Sequence, residues 1–155
     1  SLPLVEEYTI GLTYKVTPKW LVSADFNYHG WERYNNLTLN LENSGALVTP
    51  KNFHNSKTFR IGTQYMLTNN LAGRLGYYYD ESPYSDKNFI PETPSFDANV
   101  ITGGLGYKYG KFGVDLSAAL SFPKARNVNN TYYDFYGQAK AKAIYLGLGF
   151  TYNAF

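Results

Sequence analysis

Residues 112 to 122 read Phe112-Gly113-Val114-Asp115-Leu116-Ser117-Ala118-Ala119-Leu120-Ser121-Phe122. Every second residue is apolar, and the residues between them are glycine, alanine, serine or aspartate. Successive side chains of a β-strand point to opposite faces of its sheet, so this period of two predicts a strand with one apolar and one polar face. Its length matches the roughly ten residues of a transmembrane β-strand.

Six other segments show the same alternation. They are Glu7 to Val16, Trp20 to His29, Phe59 to Tyr65, Leu71 to Asp80, Ile101 to Tyr109 and Ile144 to Tyr152. We expect the second segment to continue through Trp31, Arg33 and Leu37 toward Glu42, with a bulge or a strand end where its apolar parity switches between Gly30 and Asn36. No helical period competes, so the sequence predicts an all-β fold.

The connections between these segments alternate in length. Tight turns are predicted at Thr17-Pro18-Lys19, Thr68-Asn69-Asn70 and Gly110-Lys111, and long polar loops at Asn43 to Ser56, Pro83 to Ala98 and Pro123 to Asp134. Short and long connections therefore lie at opposite ends of the sheet. This sorting, with strands of about ten alternating residues, is typical of outer-membrane β-barrels, whose periplasmic turns are short and whose extracellular loops are long.

Composition excludes several other classes of protein. The chain has 18% aromatic residues, including 16 Tyr, and no Cys. Its mean hydropathy is −0.37, and no run approaches the roughly 18 apolar residues of a transmembrane helix. The lack of Cys excludes disulfide scaffolds and Cys-ligated metal sites. A net charge of +2 without a basic cluster gives no reason to expect nucleic acid as a partner.

The main alternative is a soluble β-sandwich or a lipocalin-like barrel, whose strands also alternate. In such a fold the large apolar side chains would share one core. In a membrane barrel they would face lipid, and five charged residues would face the lumen: Asp25, Arg60, Arg74, Asp80 and Asp115. Aromatic residues near the strand ends would then form the interfacial girdles, namely Trp20, Tyr28, Trp31, Tyr79, Tyr107 and Tyr109. The abundance of Tyr favours the membrane barrel.

The number of strands indicates a part of a barrel. If the tight turns are periplasmic, the first and seventh strands both run toward the periplasm, where Phe155 ends the chain. Complete single-chain bacterial barrels have an even number of strands. We therefore expect residues 1–155 to be the C-terminal part of a single barrel domain, completed by an upstream fragment or a second chain. Open sheet edges in lipid would cost several kcal/mol for each unsatisfied backbone group.

Several motifs, in this order, resemble the FadL-type outer-membrane transporters of hydrophobic compounds. They are Leu2-Pro3, Asn27-Tyr28-His29-Gly30-Trp31, Phe59-Arg60-Ile61-Gly62-Thr63-Gln64-Tyr65, Leu75-Gly76-Tyr77-Tyr78-Tyr79-Asp80-Glu81-Ser82-Pro83, Gly103-Gly104-Leu105-Gly106-Tyr107 and Gly147-Leu148-Gly149-Phe150-Thr151-Tyr152-Asn153-Ala154-Phe155. The resemblance covers nearly the whole chain. It implies the last seven strands of a fourteen-stranded barrel in the outer membrane of a Gram-negative bacterium.

The same resemblance implies passive uptake of long-chain fatty acids, aromatic hydrocarbons or similar molecules. The expected partners are outer-membrane lipid and a hydrophobic small-molecule ligand, and the family's lumenal hatch would lie upstream. Because fold does not fix function, a barrel that serves as a scaffold or partner subunit in a secretion or assembly complex is the alternative. An acyl-modifying enzyme is the third hypothesis, but His29 has no evident catalytic partner in the sequence.

Arg60 and Arg74 are the strongest candidates for ligand contact. They lie on the polar face of two consecutive strands and would either hold a carboxylate together or neutralise Asp25, Asp80 or Asp115. We favour the second role. The only histidines, His29 and His54, lie on or near loops and predict no metal site. We expect no catalytic residue and no cofactor.

Two of the predicted loops carry apolar residues. They are Phe89-Ile90-Pro91 and Ala46-Leu47-Val48. These residues would either capture apolar ligands at the mouth of the barrel or pack on neighbouring loops, and the sequence does not separate the two roles.

Overall fold

The computed structural model describes residues 4–34, 36–41, 45–91, 93–131 and 133–154. These residues form eleven strands and one turn of 3₁₀ helix, Trp31–Arg33. The strands are β1 Glu7–Thr17, β2 Trp20–His29, β3 Asn36–Leu41, β4 Gly45–Pro50, β5 Ser56–Met66, β6 Leu71–Asp80, β7 Ala98–Tyr109, β8 Phe112–Pro123, β9 Arg126–Asn130, β10 Phe135–Ala139 and β11 Ala143–Tyr152. Within these ranges, no helix is long and apolar enough to span a membrane.

The seven predicted strands form a single antiparallel sheet. Their order in space follows the chain, β1-β2-β5-β6-β7-β8-β11. The register is continuous between neighbours, apart from one shift between Lys15 and Thr17. The predicted all-β architecture and strand order are therefore confirmed.

Local interactions explain the short turns. At the turn between β5 and β6, the Thr68 hydroxyl oxygen accepts hydrogen bonds from the backbone N–H groups of Asn70 and Leu71, at 3.2 and 3.0 Å. Between β7 and β8, Gly110 has a φ of +57°, a left-handed conformation that glycine adopts without steric cost. These turns lie at one end of the sheet, opposite the three long connections.

The second strand is shorter than the sequence predicts. It ends at His29, where one of the two predicted outcomes, a strand end, is found. The expected continuation toward Glu42 is wrong as far as the described residues extend: Asn36–Leu41 pairs with Gly45–Pro50 in a separate hairpin. Glu42, Asn43 and Ser44 lie outside the described residues. The same hairpin corrects the predicted loop from Asn43 to Ser56.

The third long connection also contains a hairpin that the sequence analysis did not predict. Strands β9 and β10 pair from Phe135 and Asn130 to Ala139 and Arg126. Strand β9 reads Arg-Asn-Val-Asn-Asn, and its asparagines have low strand propensity and favour turns. Tertiary packing therefore determines this strand, and the predicted loop from Pro123 to Asp134 is corrected.

The two faces of the sheet differ as the alternation predicts. We call the face with the large side chains the apolar face and the other the polar face. On the apolar face of the inner strands β6, β7 and β8, Leu75, Ile101 and Leu116 are 67, 52 and 55% exposed. A soluble sheet would bury such a contiguous apolar surface in a core, so the observed exposure fits contact with lipid and not a soluble sandwich.

Cysteine labelling distinguishes the two faces. The chain has no native Cys, and Ser117 and Leu116 are adjacent, exposed residues on opposite faces of β8. In the complete barrel inserted in lipid, Ser117→Cys should react with a water-soluble thiol reagent, and Leu116→Cys should stay largely unreacted because its thiol lies in hydrocarbon. Equal labelling of both variants would contradict the assignment of the apolar face to lipid.

Candidate functional site

Two ion pairs organise the polar face. The first joins β2 and β5, where Asp25 and Arg60 are register partners and Arg60 Nη1 lies 3.6 Å from Asp25 Oδ1. The amide of Asn27, oriented to satisfy its neighbours, accepts a hydrogen bond from Arg60 Nη2 at 3.2 Å and donates one to Thr9 Oγ1 at 3.1 Å. The Arg60 guanidinium is thus held between an acidic and an amide side chain.

The second ion pair extends across three strands. Arg74 of β6 donates from Nη1 to Asp115 Oδ1 of β8 at 2.5 Å, and from Nε to Gln64 Oε1 of β5 at 2.7 Å. Strand β7 lies between β6 and β8. The guanidinium crosses it above Gly106, where an added Cβ would lie 2.9 Å from Arg74 Nη1 and 2.6 Å from Asp115 Oδ1. Glycine at this position leaves the space that the pair occupies.

Asp80 is separate from both pairs. Its Oδ1 accepts a hydrogen bond from the Thr58 hydroxyl at 2.6 Å, near the long-loop end of β5 and β6. The structure therefore brings Arg60 to Asp25 and Arg74 to Asp115, and it brings neither arginine to Asp80. The geometry corresponds to charge neutralisation and not to two arginines that share one ligand carboxylate. That these residues face a lumen remains a prediction.

A depression of about 660 Å³ lies on the polar face between the two ion pairs. Glycines of four strands form its floor, namely Gly62, Gly76, Gly104 and Gly147, and hydroxyls of Ser23, Thr102 and Ser117 surround it. An added Cβ at Gly104 would lie 3.0 Å from the Leu116 carbonyl oxygen, so a larger residue would displace the backbone. The small residues keep this part of the face open to solutes.

The three long connections pack together at one end of the sheet. We call the described parts of residues 30–55, 81–97 and 124–142 the loop layer. Phe53 is buried and contacts the rings of Trp31, Tyr34 and Tyr84, with centroid distances of 5.7, 5.6 and 4.5 Å. Trp31, predicted as a girdle residue at a strand end, instead packs inside this aromatic cluster.

Arg126 connects two of these loops. Its side chain is 13% exposed and donates hydrogen bonds to Asp86 Oδ1 at 2.8 Å, to Ser82 Oγ at 2.9 Å, to the Ser95 carbonyl at 2.9 Å and to the Tyr84 carbonyl. Hydrogen bonds from a charged donor contribute about 1.5 to 3 kcal/mol each. Arg126 therefore fixes β9 against the 81–97 loop.

The histidines lie apart from one another. His29 Nδ1 is 4.0 Å from Glu7 Oε2, and the His54 backbone N–H donates to the Pro83 carbonyl at 3.0 Å. Among the residues that the structure describes, no group of three or more His, Cys, Asp or Glu side chains is arranged to hold a metal ion.

Comparison with known proteins agrees with this architecture. Residues 1–154 match the family described as "Outer membrane protein transport protein (OMPP1/FadL/TodX)". This chain belongs to the OMPP1/FadL/TodX family of outer-membrane transport proteins. The predicted FadL-type resemblance is thereby confirmed, and the family is one of transporters and not of enzymes.

The FadL-family relatives are considerably longer than this chain. It is 23% identical, over 154 residues, to the long-chain fatty acid transport protein of Escherichia coli (strain K12). The aligned region covers 98% of this chain but 34% of that relative. It is 25% identical to the 47 kDa outer membrane protein of Pasteurella multocida (strain Pm70), of which it spans 35%. The chain thus covers about a third of these proteins.

Solved structures show the same fold. A Pseudomonas aeruginosa FadL homologue superposes with a TM-score of 0.87 at 20% identity, over 94% of this chain and 35% of that protein. The Ralstonia pickettii toluene transporter TbuX superposes with a TM-score of 0.56 at 21% identity, over 94% of this chain and 33% of that protein. The seven-stranded sheet therefore corresponds to part of a transmembrane β-barrel and fits its C-terminal half.

The sequence analysis did not identify the residues that hold the loop layer together. Arg126 and Phe53 lie in segments without periodicity, and their partners are far away in the chain, since Arg126 contacts residues 82 to 95. The only local signal was the aromatic content of the loops.

Gly106→Ala tests the crossing of β7 by Arg74. The new methyl group would displace the Arg74–Asp115 pair, and we expect a loss of about 1 kcal/mol, because both side chains are partly exposed. The measurement is the temperature at which the folded barrel, seen as a faster-migrating band on gel electrophoresis, is lost. Gly62→Ala is the matched control, since its Cβ would meet no atom closer than 3.6 Å. If Gly106→Ala lowers the stability of the barrel by the same amount in a protein that also carries Asp115→Asn, displacement of the ion pair is not the cause of the loss.

Proposed function

We propose that this chain forms part of the wall of an outer-membrane channel for the passive uptake of hydrophobic compounds. The observation that carries the proposal is the match of residues 1–154 to a family of outer-membrane transport proteins. The arrangement of the sheet supports it. One face is suited to lipid, and the other is lined by small residues and paired charges around an open depression.

We propose that the ligands are long-chain fatty acids, aromatic hydrocarbons or similar molecules. The similar proteins are named as long-chain fatty acid and toluene transporters. On the polar face, Arg60 and Arg74 each have an aspartate partner. A wall whose charges are paired presents little net field, so it would neither trap an anionic ligand nor exclude a neutral one. Of the five charged residues predicted to face the lumen, Asp25, Arg60, Arg74 and Asp115 would have this role, and Asp80 would accept a hydrogen bond from Thr58.

Uptake by cells that lack transporters of this family tests the channel. Cells expressing the complete protein should take up labelled oleate or toluene above the vector level, and an uncoupler of the membrane potential should not reduce the rate. Ser117→Trp should lower uptake several-fold because its ring fills the depression. Leu120→Trp, on the apolar face of the same strand and outside the depression, should not lower uptake. Absence of uptake of both ligands would favour the scaffold alternative.

We propose that further strands complete the barrel, either from the same polypeptide or from a second chain. In the described sheet, β1 pairs with β2 and β11 pairs with β8, and neither has a second neighbour. The intact mass of the purified, denatured assembly used for the uptake assay should therefore exceed 17.5 kDa, or a second polypeptide should accompany it. A folded assembly made of this chain alone would contradict the proposal.

We propose that the C-terminus lies in the periplasm and that the loop layer is extracellular, because long connections of outer-membrane barrels face outward. Trypsin added to intact cells tests this orientation. Arg126→Gln should be cleaved after the exposed Lys87 about thirtyfold faster than the unaltered protein, because loss of roughly 2 kcal/mol of hydrogen bonding opens the loop. Lys124→Gln, whose ammonium is 3.9 Å from Asp97 and exposed, is the control. Cleavage only after the outer membrane is permeabilised would reverse the orientation.

A further inference from the structure

The loop layer contains a pocket that is separate from the depression on the polar face. Its volume is about 510 Å³. Phe89, Ile90 and Pro91 of the 81–97 connection form one wall, and Tyr133 and Phe135 of the β9–β10 hairpin form the other. The volume lies within the range of about 300 to 1,000 Å³ that is usual for small-molecule sites.

The first wall is held in place from behind. Phe89 is 1% exposed, its ring packs edge-on against Phe96 at 5.5 Å, and its carbonyl oxygen accepts a hydrogen bond from Asn130 Nδ2 at 2.9 Å. The Arg126 guanidinium lies 5.8 Å from the centre of the Phe89 ring. Because these contacts exist before any ligand arrives, binding would require little ordering of the protein.

The chemistry of the pocket favours an uncharged ligand. Among the residues that the structure describes, the lining residues are uncharged, and Phe89, Tyr133 and Phe135 are aromatic. The Arg126 guanidinium beside the Phe89 ring already donates to Asp86, Ser82, Ser95 and Tyr84. A carboxylate in the pocket would therefore lose water without gaining a cationic partner there, which is costly, whereas an aromatic ring would contact other rings edge-on or offset.

We propose that this pocket binds an uncharged aromatic hydrocarbon. The proposal deepens the proposed function and rests on it for the position of the pocket at the outer mouth, where it would collect ligand before passage through the barrel. The sequence left two roles open for the Phe89-Ile90-Pro91 segment, ligand capture and packing on neighbouring loops. In this proposal the segment has both roles: Phe89 packs within the loops, and the surface beside it receives ligand.

The test compares two small probes of similar size and different charge. Binding of 4-fluorotoluene and of 4-fluorobenzoate to the complete protein in lipid nanodiscs is measured by ¹⁹F NMR, with empty nanodiscs subtracted. We expect saturable binding of 4-fluorotoluene and at least tenfold weaker binding of 4-fluorobenzoate. Phe135→Ser and Ile90→Asp, one from each wall, should weaken 4-fluorotoluene binding about tenfold by loss of apolar contact.

Tyr136→Ser is the matched control. Tyr136 is the next residue of the same hairpin, is 57% exposed and does not line the pocket, so this variant should bind as the unaltered protein does. Binding that is unchanged in both Phe135→Ser and Ile90→Asp would overturn the proposal, and so would equal affinity for the two probes.

Two further measurements separate the possible causes of failure. In the unaltered protein, saturating 4-fluorotoluene should slow tryptic cleavage after Lys87, which requires no variant to fold; no slowing would count against the pocket. The uptake assay is read independently. If toluene uptake is absent while pocket binding is present, the proposed transport function fails and the binding site stands. If uptake is present while the pocket variants bind normally, the binding site fails alone.

Discussion

A peptide group in a bilayer has no water to bind, so each backbone N–H and C=O in the spanning region needs a protein partner. The sheet meets this requirement by continuous antiparallel pairing from β2 through β8. The same requirement applies to the two outer strands. Strands β1 and β11 are hydrogen-bonded on one side within the described sheet, and this is the reason for proposing that further strands pair with their other sides.

With the backbone paired, alternate side chains of each strand lie on opposite faces, and the charged ones lie on the polar face. The stability of that face therefore depends on how its charges are compensated. An arginine in a barrel wall is costly unless an opposite charge and hydrogen bonds compensate it. Arg74 obtains both from strands on either side of its own, Gln64 on β5 and Asp115 on β8. The contact with Asp115 depends on Gly106, because a Cβ there would overlap the two charged groups. Gly106 therefore contributes to the ion pair through the space that it leaves to its neighbours.

The strands and their order were predictable because a period of two residues is a local property. A one-residue error of register would exchange the two faces. Segments with a strict alternation, such as Phe112 to Phe122 and Ile144 to Tyr152, therefore restrict the register of their strands. The sequence predicts that the arginines neutralise Asp25, Asp80 or Asp115, but it does not predict that Arg74 contacts Asp115, since that contact requires the registers of two successive strand pairs. Of the hairpin formed by Asn36–Leu41 and Gly45–Pro50, the sequence predicts the first strand as a continuation of β2 and the second as part of a loop. The switch of apolar parity between Gly30 and Asn36 predicts a bulge or a strand end, and only the tertiary structure shows that β2 ends and a separate hairpin follows.

The distribution of buried side chains divides the protein into two parts with different sources of stability. Among the described residues, the buried apolar side chains are Phe53, Ala72, Phe89, Val100 and Val128. Phe53, Phe89 and Val128 belong to the loop layer, and Val100 lies near the loop end of β7. The sheet depends mainly on backbone pairing and lipid, whereas the loop layer has a small core of its own and an arginine that is 13% exposed, Arg126. Loops with such a core keep a defined surface, which is what recognition of a ligand outside the membrane requires.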